Sequence, residues 1–184
     1  MFTLRDGDAG LSLHMERDAK PRDPRFVEEP LFALLTWTPG LGDPHDWPNR
    51  RVFEDAVRFD THLVFPLVRV ETERGPVLLR QAEIKDCPIV GYAVAPHEAI
   101  RLHFGLDRIG SAIRDEVIDE AEAVRLGELQ AVEDYVRGDV FRFSILDGDG
   151  NVIETQQDLY GEDLARHVAK TAFEAHIFGA AMNG

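Results

Sequence analysis

The chain has 184 residues, of which 34 are acidic and 20 basic, and its formal net charge is -14 at pH 7. A hydrophobic content of 44% suits one domain with a packed core and excludes a disordered chain. The negative charge disfavours direct binding to nucleic acid or to an anionic membrane, and favours basic partners.

Targeting signals and disulfides are not indicated. No stretch approaches the roughly 20 apolar residues of a membrane-spanning helix, and residues 1–10 lack the basic-then-apolar layout of a signal peptide. Cys87 is the only cysteine, which excludes an internal disulfide. These features predict a soluble protein in the cytoplasm of a host cell, with no membrane partner.

The first half of the chain predicts short strands around one helix. Residues 16–30 are charged and contain three prolines, so they predict a linker or surface arm. Pro48 suits the first turn of a helix that runs to about residue 59. The predicted strands lie at 2–15, 31–38, 63–70, 77–84 and 88–95, with a turn at Gly75.

The second half predicts three helices and a hairpin. A short helix is expected over 96–104 and a long one over 111–137, with Ser111 as the N-cap of the long helix. Strands over 140–146 and 152–156 flank a turn, and a last helix covers 162–178. The fold class predicted is α+β, a mainly antiparallel sheet packed against several helices, including a long acidic helix near 111–137. Residues 1–184 are expected to form a single α+β domain, with 16–30 as a charged linker or arm.

No residue set predicts catalysis, a metal or a cofactor. The seven histidines show no HxxxH or HExxH spacing, and no phosphate-binding glycine loop is present. Residues 147–151 resemble the start of an EF-hand loop, but Val152 occupies the sixth position, where a glycine is needed. We therefore interpret these residues as a hairpin turn, and the protein as non-enzymatic.

A loop before the first helix holds the densest cluster of polar and aromatic residues. Asp43, His45, Asp46 and Trp47 follow one another closely there. Such a set is compatible with a ligand or metal site, and equally with capping of the helix that begins at Pro48. Both interpretations stay open from sequence alone.

The acidity is concentrated in residues 107–163, which contain 16 Asp or Glu and 5 Arg or Lys. On the helix predicted over 111–137, acidic residues recur at three- and four-residue spacings, which place like charges side by side. Such a face either keeps the protein soluble or presents negative charge to a basic groove. The predicted partner-binding residues are Asp115, Glu116, Asp119, Glu120, Glu122, Glu133 and Asp134.

Several segments together resemble a family of uncharacterised accessory proteins carried by bacteriophages, plasmids and conjugative elements. The segments are Asp23-Pro24-Arg25-Phe26, Leu41-Gly42-Asp43-Pro44-His45-Asp46, Leu63-Val64-Phe65-Pro66-Leu67, Cys87-Pro88-Ile89-Val90-Gly91-Tyr92-Ala93-Val94, Tyr135-Val136-Arg137-Gly138-Asp139-Val140-Phe141 and Leu159-Tyr160-Gly161. The resemblance implies a role on a mobile element. Acidic proteins of this size on such elements include DNA-mimicking anti-restriction and anti-CRISPR inhibitors, an analogy of context.

The leading hypothesis is thus a non-enzymatic anti-defence inhibitor whose acidic surface binds the basic nucleic-acid groove of a host defence complex. One alternative is a small enzyme or a ligand- or metal-binding protein that uses the loop from Asp43 to Trp47 and Cys87. Another is an accessory or scaffolding protein that forms a homodimer through its C-terminal helix.

Overall fold

The computed structural model describes residues 1–27, 29–39, 42–72, 75–81, 87–106 and 113–182. Antiparallel pairing joins the strands into two four-stranded sheets, which confirms the predicted α+β class. Within the described residues, no helix combines the length and apolarity needed to cross a bilayer. The elements are β1 (Phe2–Asp6), β2 (Leu11–Arg17), a 3-10 turn (Pro24–Phe26), β3 (Ala33–Thr36), α1 (Arg50–Ala56), β4 (His62–Thr72), β5 (Gly75–Gln81), β6 (Ile89–Pro96), α2 (His97–His103), α3 (Asp115–Arg137), β7 (Val140–Leu146), β8 (Val152–Tyr160) and α4 (Glu162–Met182).

The residues group into two compact units, each with its own sheet. Unit 1 comprises Met1–Val27 and Asp134–Gly184, and unit 2 comprises Glu28–Glu133. The expectation of a single domain over 1–184 stays a prediction, and the two units are described separately below.

Unit 1 is a sheet of order β1-β2-β7-β8 with α4 packed on one face. Every second side chain of the central strands points into the core beneath α4. Leu13 and Ile145, which are register partners, are two of these buried residues. Ala165 and Ala169 are fully buried on α4, where their small side chains let the helix lie close to the sheet. Polar residues such as Ser144 and Thr155 alternate with the buried ones, and their hydroxyl oxygens lie 3.2 Å apart.

Unit 2 is a sheet of order β3-β6-β4-β5 with apolar clusters on both faces. The central strand β6 explains this arrangement, because Ala93 and Ala95 pack in the cluster with α3 while Tyr92 and Val94 pack in the cluster with Phe53 of α1. A strand covered on both faces carries a nearly continuous apolar run, and residues 89–96 have that composition.

The segment between β2 and β3 is anchored to β8 through Arg22. The Asp158 carboxylate accepts hydrogen bonds from the Arg22 backbone N–H at 2.8 Å and from Nε at 2.7 Å. Asp158 is buried and has a φ of 58°, an unusual value for a residue other than glycine. The Tyr160 hydroxyl donates to the Arg22 carbonyl, and burial raises the pKa of Tyr160 to about 12.

Several element boundaries differ from the prediction. The segment 2–15 forms parts of two strands because Asp6 accepts backbone N–H bonds from Asp8 and Ala9 and turns the chain. Helix α1 begins at Arg50, since the Asn49 side chain caps the Val52 N–H. Ser111, the predicted N-cap of α3, lies outside the described residues.

Three glycines provide a matched test of backbone strain. Gly161 has a φ of 85°, and a Cβ there would lie 2.9 Å from Asp134 Oδ2. Gly161→Ala should therefore lower the free energy of unfolding by about 2 kcal/mol, since strain and a steric clash add. Gly138→Ala, with a φ of 71° and an open surrounding, should cost about 1 kcal/mol.

Gly127 lies inside α3 with no neighbour near its missing Cβ, so Gly127→Ala should stabilise by about 0.5–1 kcal/mol. Urea denaturation of the three variants measures these changes in the free energy of unfolding. Equal effects at 161 and 127 would contradict the assigned backbone conformations.

Candidate functional site

Four carboxylates project from the first two turns of α3. Asp115, Glu116, Asp119 and Glu120 are all exposed, and we call this set the acidic face. None of the four forms an ion pair or side-chain hydrogen bond within the described part of the chain. Acidic residues at a helix N-terminus interact favourably with the helix dipole, by about 0.3–1 kcal/mol each, which offsets their repulsion at i, i+4.

The fifth predicted residue, Glu122, has a partner within the helix. Its Oε1 lies 2.9 Å from Nη2 of Arg125, and the Glu122 side chain is 36% exposed. Arg125 is completely buried and stands over the Phe65 ring of β4 at 4.4 Å from the ring centroid. Glu122 therefore balances a buried cation and is only partly available to a partner.

Glu133 and Asp134 do not belong to an exposed surface, contrary to the prediction. They are only 5% and 8% exposed. Glu133 continues a buried row at four-residue spacing, and the row consists of Val117, Ala121, Arg125, Leu129 and Glu133. That spacing is the sequence signal that would have placed Arg125 and Glu133 inside.

Glu128 has a structural role that no sequence pattern indicated. Its two oxygens accept the backbone N–H groups of Leu31, at 2.5 Å, and Phe32, at 3.1 Å. Burial raises the pKa of the Glu128 carboxyl above its usual value of 4.5, while the two amide hydrogen bonds act in the opposite direction. Glu128 thus joins α3 to the chain that leads into β3.

The predicted ligand loop makes its polar contacts with β3. Asp43 Oδ2 accepts the Leu34 N–H at 2.6 Å, and the Asp43 N–H donates to the Leu34 carbonyl at 2.7 Å. His45 Nε2 lies 2.8 Å from the Thr36 carbonyl oxygen and so donates to it. Asp43 thus secures β3, and Asn49 rather than the loop carboxylates caps α1.

The rings of the loop join an aromatic cluster on one face of unit 2. Trp37 donates from Nε1 to the Trp47 carbonyl at 3.2 Å. The Phe53 ring centroid lies 5.5 Å from that of Trp47 and 5.2 Å from that of Tyr92. These contacts are typical of packed aromatic pairs. The structure thus half-buries Asp43 and His45 and packs the Trp47 ring against Phe53, although Trp47 is still 36% exposed, and Asp46 is exposed.

A hydrogen-bonded triad at the edge of this cluster was not found from sequence. The Tyr92 hydroxyl donates to Glu54, which also accepts from Arg50 Nε at 2.6 Å. Burial, together with the Glu54 hydrogen bond, raises the pKa of Tyr92, and the Tyr92 and Arg50 hydrogen bonds lower the pKa of Glu54. Glu54 and Tyr92 are 38 residues apart, so no local motif indicates them.

Among the described residues, no three His, Cys, Asp or Glu side chains are grouped so as to hold a metal ion. A cavity of about 120 Å³ in unit 1 is lined by His14, Glu16, Arg142 and Ser144, among others. Arg142 and Glu16 pair with each other there.

No family model, curated protein or solved structure matches the chain. The resemblance to accessory proteins of mobile elements therefore stays a prediction, and the function has to be argued from the geometry of the described residues.

Glu128 predicts a pH-dependent stability difference. A carboxyl with a raised pKa favours its protonated form in the fold, so its contribution is present at low pH and lost as the pH rises above 4.5 and through the folded pKa. Glu128→Gln keeps an oxygen that accepts the Leu31 or Phe32 N–H but carries no charge. The variant should gain stability relative to the parent across that window, in urea denaturation at a series of pH values. A pH-independent difference would show that the carboxyl is not destabilised by burial.

The role of the loop is tested by two aspartates three residues apart. Asp43→Ala leaves the Leu34 N–H without its acceptor and should lower the free energy of unfolding by about 1–3 kcal/mol. Asp46→Ala, at an exposed position, should change it by less than about 0.5 kcal/mol. Thermal unfolding with and without metal ions completes the test, because a metal-dependent stabilisation lost in both variants would indicate a binding site instead.

Proposed function

We propose that the chain is a non-enzymatic protein that binds a basic protein surface through the acidic face of α3. The proposed partner is the nucleic-acid-binding groove of a host defence complex, so the protein would act as an inhibitor. The observation that carries the proposal is a set of four exposed carboxylates, Asp115, Glu116, Asp119 and Glu120, which have no ion-pair partner among the residues that the structure describes.

The charge density of the acidic face supports a nucleic-acid-like role. Residues 115–120 span about 7.5 Å along the helix axis at 1.5 Å per residue. Four charges over that distance are spaced by roughly 2.5 Å on average along the axis, between the values of about 1.7 Å for both strands of duplex DNA and about 3.4 Å for one strand. A groove lined by arginine and lysine that accepts phosphates therefore meets a comparable density of negative charge, over about one and a half helical turns.

The acidic face lies on turns of α3 that are packed into the core of unit 2. Val117 and Ala121 of the same two turns are buried against the sheet of unit 2, which fixes the direction of the carboxylates between them. A pre-organised set of charges binds with a smaller entropy cost than a flexible acidic tail. The resemblance to mobile-element accessory proteins agrees with an anti-defence role and suggests where the partner is to be sought.

Matched charge variants test this proposal. The variant Asp115→Asn, Glu116→Gln, Asp119→Asn, Glu120→Gln removes the acidic face. The control Asp8→Asn, Asp46→Asn, Glu98→Gln, Asp149→Asn changes the formal net charge by the same amount at scattered exposed positions. Each immobilised protein is incubated with nuclease-treated bacterial lysate at about 0.05 M salt, where charges act over more than 10 Å.

The parent and the control should retain the same proteins, and short duplex DNA should release them. The acidic-face variant should retain at least about tenfold less, because the attraction that orients the complex is lost. Equal retention by the two variants, or captured proteins that DNA does not displace, would refute a nucleic-acid-like mode of binding.

A further inference from the structure

The outward face of α4 carries an apolar stripe that unit 1 does not use. Leu164, Phe178 and Met182 are 54%, 69% and 73% exposed. Thr171 and Ala175 are exposed on the same side, opposite the buried Ala165, Ala169 and Phe173. Single exposed apolar side chains are ordinary, but three on one side of a single helix, with the small side chains of Thr171 and Ala175 between them, indicate an interface.

The spacing of the stripe is self-complementary. Leu164 lies seven residues before Thr171 and Phe178 lies seven residues after it. Two antiparallel copies of α4 that cross at Thr171 therefore place Leu164 of each copy against Phe178 of the other. The small side chains of Thr171 and Ala175 lie near the crossing point, where two helices approach most closely.

The charges beside the stripe agree with the same two-fold arrangement. Glu174 and Lys170 are exposed on the same flank of α4, where Lys170 Nζ also lies 5.8 Å from the centroid of the Phe2 ring. The Glu174 side chain has no ion-pair partner among the described residues. Lys170 lies one residue before the crossing point and Glu174 three residues after it. In an antiparallel pair the same flanks meet, so Glu174 of one copy comes within about 3 Å, measured along the helix axis, of Lys170 of the other.

From this geometry we infer that the protein forms a symmetric homodimer through α4, with its two-fold axis near Thr171. A closed two-fold interface uses one surface twice, and the stripe and its flanking charges are complementary to their own copy. The occupant is thus a second copy of this chain. A membrane surface fits less well, because Asp163 and Glu174 border the stripe and the chain is strongly acidic.

The size of the stripe sets the expected affinity. With the axis near Thr171, the paired face runs from residue 164 to 178 and is about 21 Å long, so the pair buries less than about 1,200 Å² in total, in the range of weak and transient interfaces. We therefore expect a reversible dimer with a dissociation constant on the order of 10 μM.

Sedimentation velocity of the 184-residue chain from about 1 μM to about 300 μM brackets that value. The weight-average mass should rise from the monomer value of 20.7 kDa towards twice that value. Leu164→Glu and Phe178→Glu should each weaken association at least about tenfold by placing a charge in the apolar contact. Leu102→Glu and Phe59→Glu, at residues of unit 2 that are 82% and 67% exposed, are the controls and should leave it unchanged.

A charge exchange and cysteine cross-linking test the direction of pairing. Lys170→Glu and Glu174→Lys should each weaken the dimer, and the double exchange should restore it. In a Cys87→Ser background, Thr171→Cys should form a disulfide-linked dimer under mild oxidation. Leu164→Cys should cross-link only when mixed with Phe178→Cys.

A mass that stays at 20.7 kDa over the whole concentration range overturns the proposal. So does association that the Leu102→Glu control weakens as much as Leu164→Glu, or Leu164→Cys that cross-links to itself, which indicates parallel pairing. Circular dichroism of each variant verifies folding, and all the substituted residues of α4 are exposed. Lysate binding by the acidic face is a separate readout, so failure of one proposal leaves the other standing.

Discussion

The burial of Arg125 against the Phe65 ring is the interaction that holds α3 in place within unit 2. A guanidinium with no exposed surface has to be compensated inside the protein, because its desolvation costs several kcal/mol. Glu122 and the aromatic face supply part of that compensation, and they fix the rotation of the helix about its axis. Asp115, Glu116, Asp119 and Glu120 lie in the first two turns of the same helix and are exposed. The same rotation brings Glu128 to the amides of Leu31 and Phe32.

Sequence periodicity was sufficient for the fold class and most elements, because the apolar residues that define each period are the ones that pack. Alternation in 140–146 and the three- and four-residue spacing in 162–178 both correspond to the elements found there. The direction of individual charged side chains was not predictable in this way. The buried row of α3 continues from Val117 and Ala121 through Arg125 and Leu129 to Glu133, but the apolar residues alone suggest a row through Val124 and Val132. The position of a residue on α3, rather than the polarity of its side chain, corresponds to whether it is buried.

The loop from Asp43 to Trp47 shows a second limit of sequence reasoning. Composition correctly marked it as a dense polar and aromatic cluster, but it could not identify the partners. The Asp43 acceptor for Leu34 and the His45 donor to Thr36 each join residues nine positions apart, and Tyr92 with Glu54 spans 38. Hydrogen bonds across such separations depend on strand pairing. A cluster that looks like a ligand site in one dimension is therefore also what a loop hydrogen-bonded to a neighbouring strand looks like.

Electrostatics acts in opposite directions on the two proposed surfaces. Binding of a basic groove by the acidic face brings opposite charges together, so added salt weakens it. Self-association through α4 brings together two chains that each carry a formal net charge of -14, so screening by salt removes a repulsion. The flanking pairs of Lys170 and Glu174 are exposed and contribute about 0.2–1 kcal/mol each, less than the apolar contact of Leu164 with Phe178. Salt should therefore favour the dimer while it releases the basic partner, and this opposite response separates an interface built on apolar burial from one built on charge.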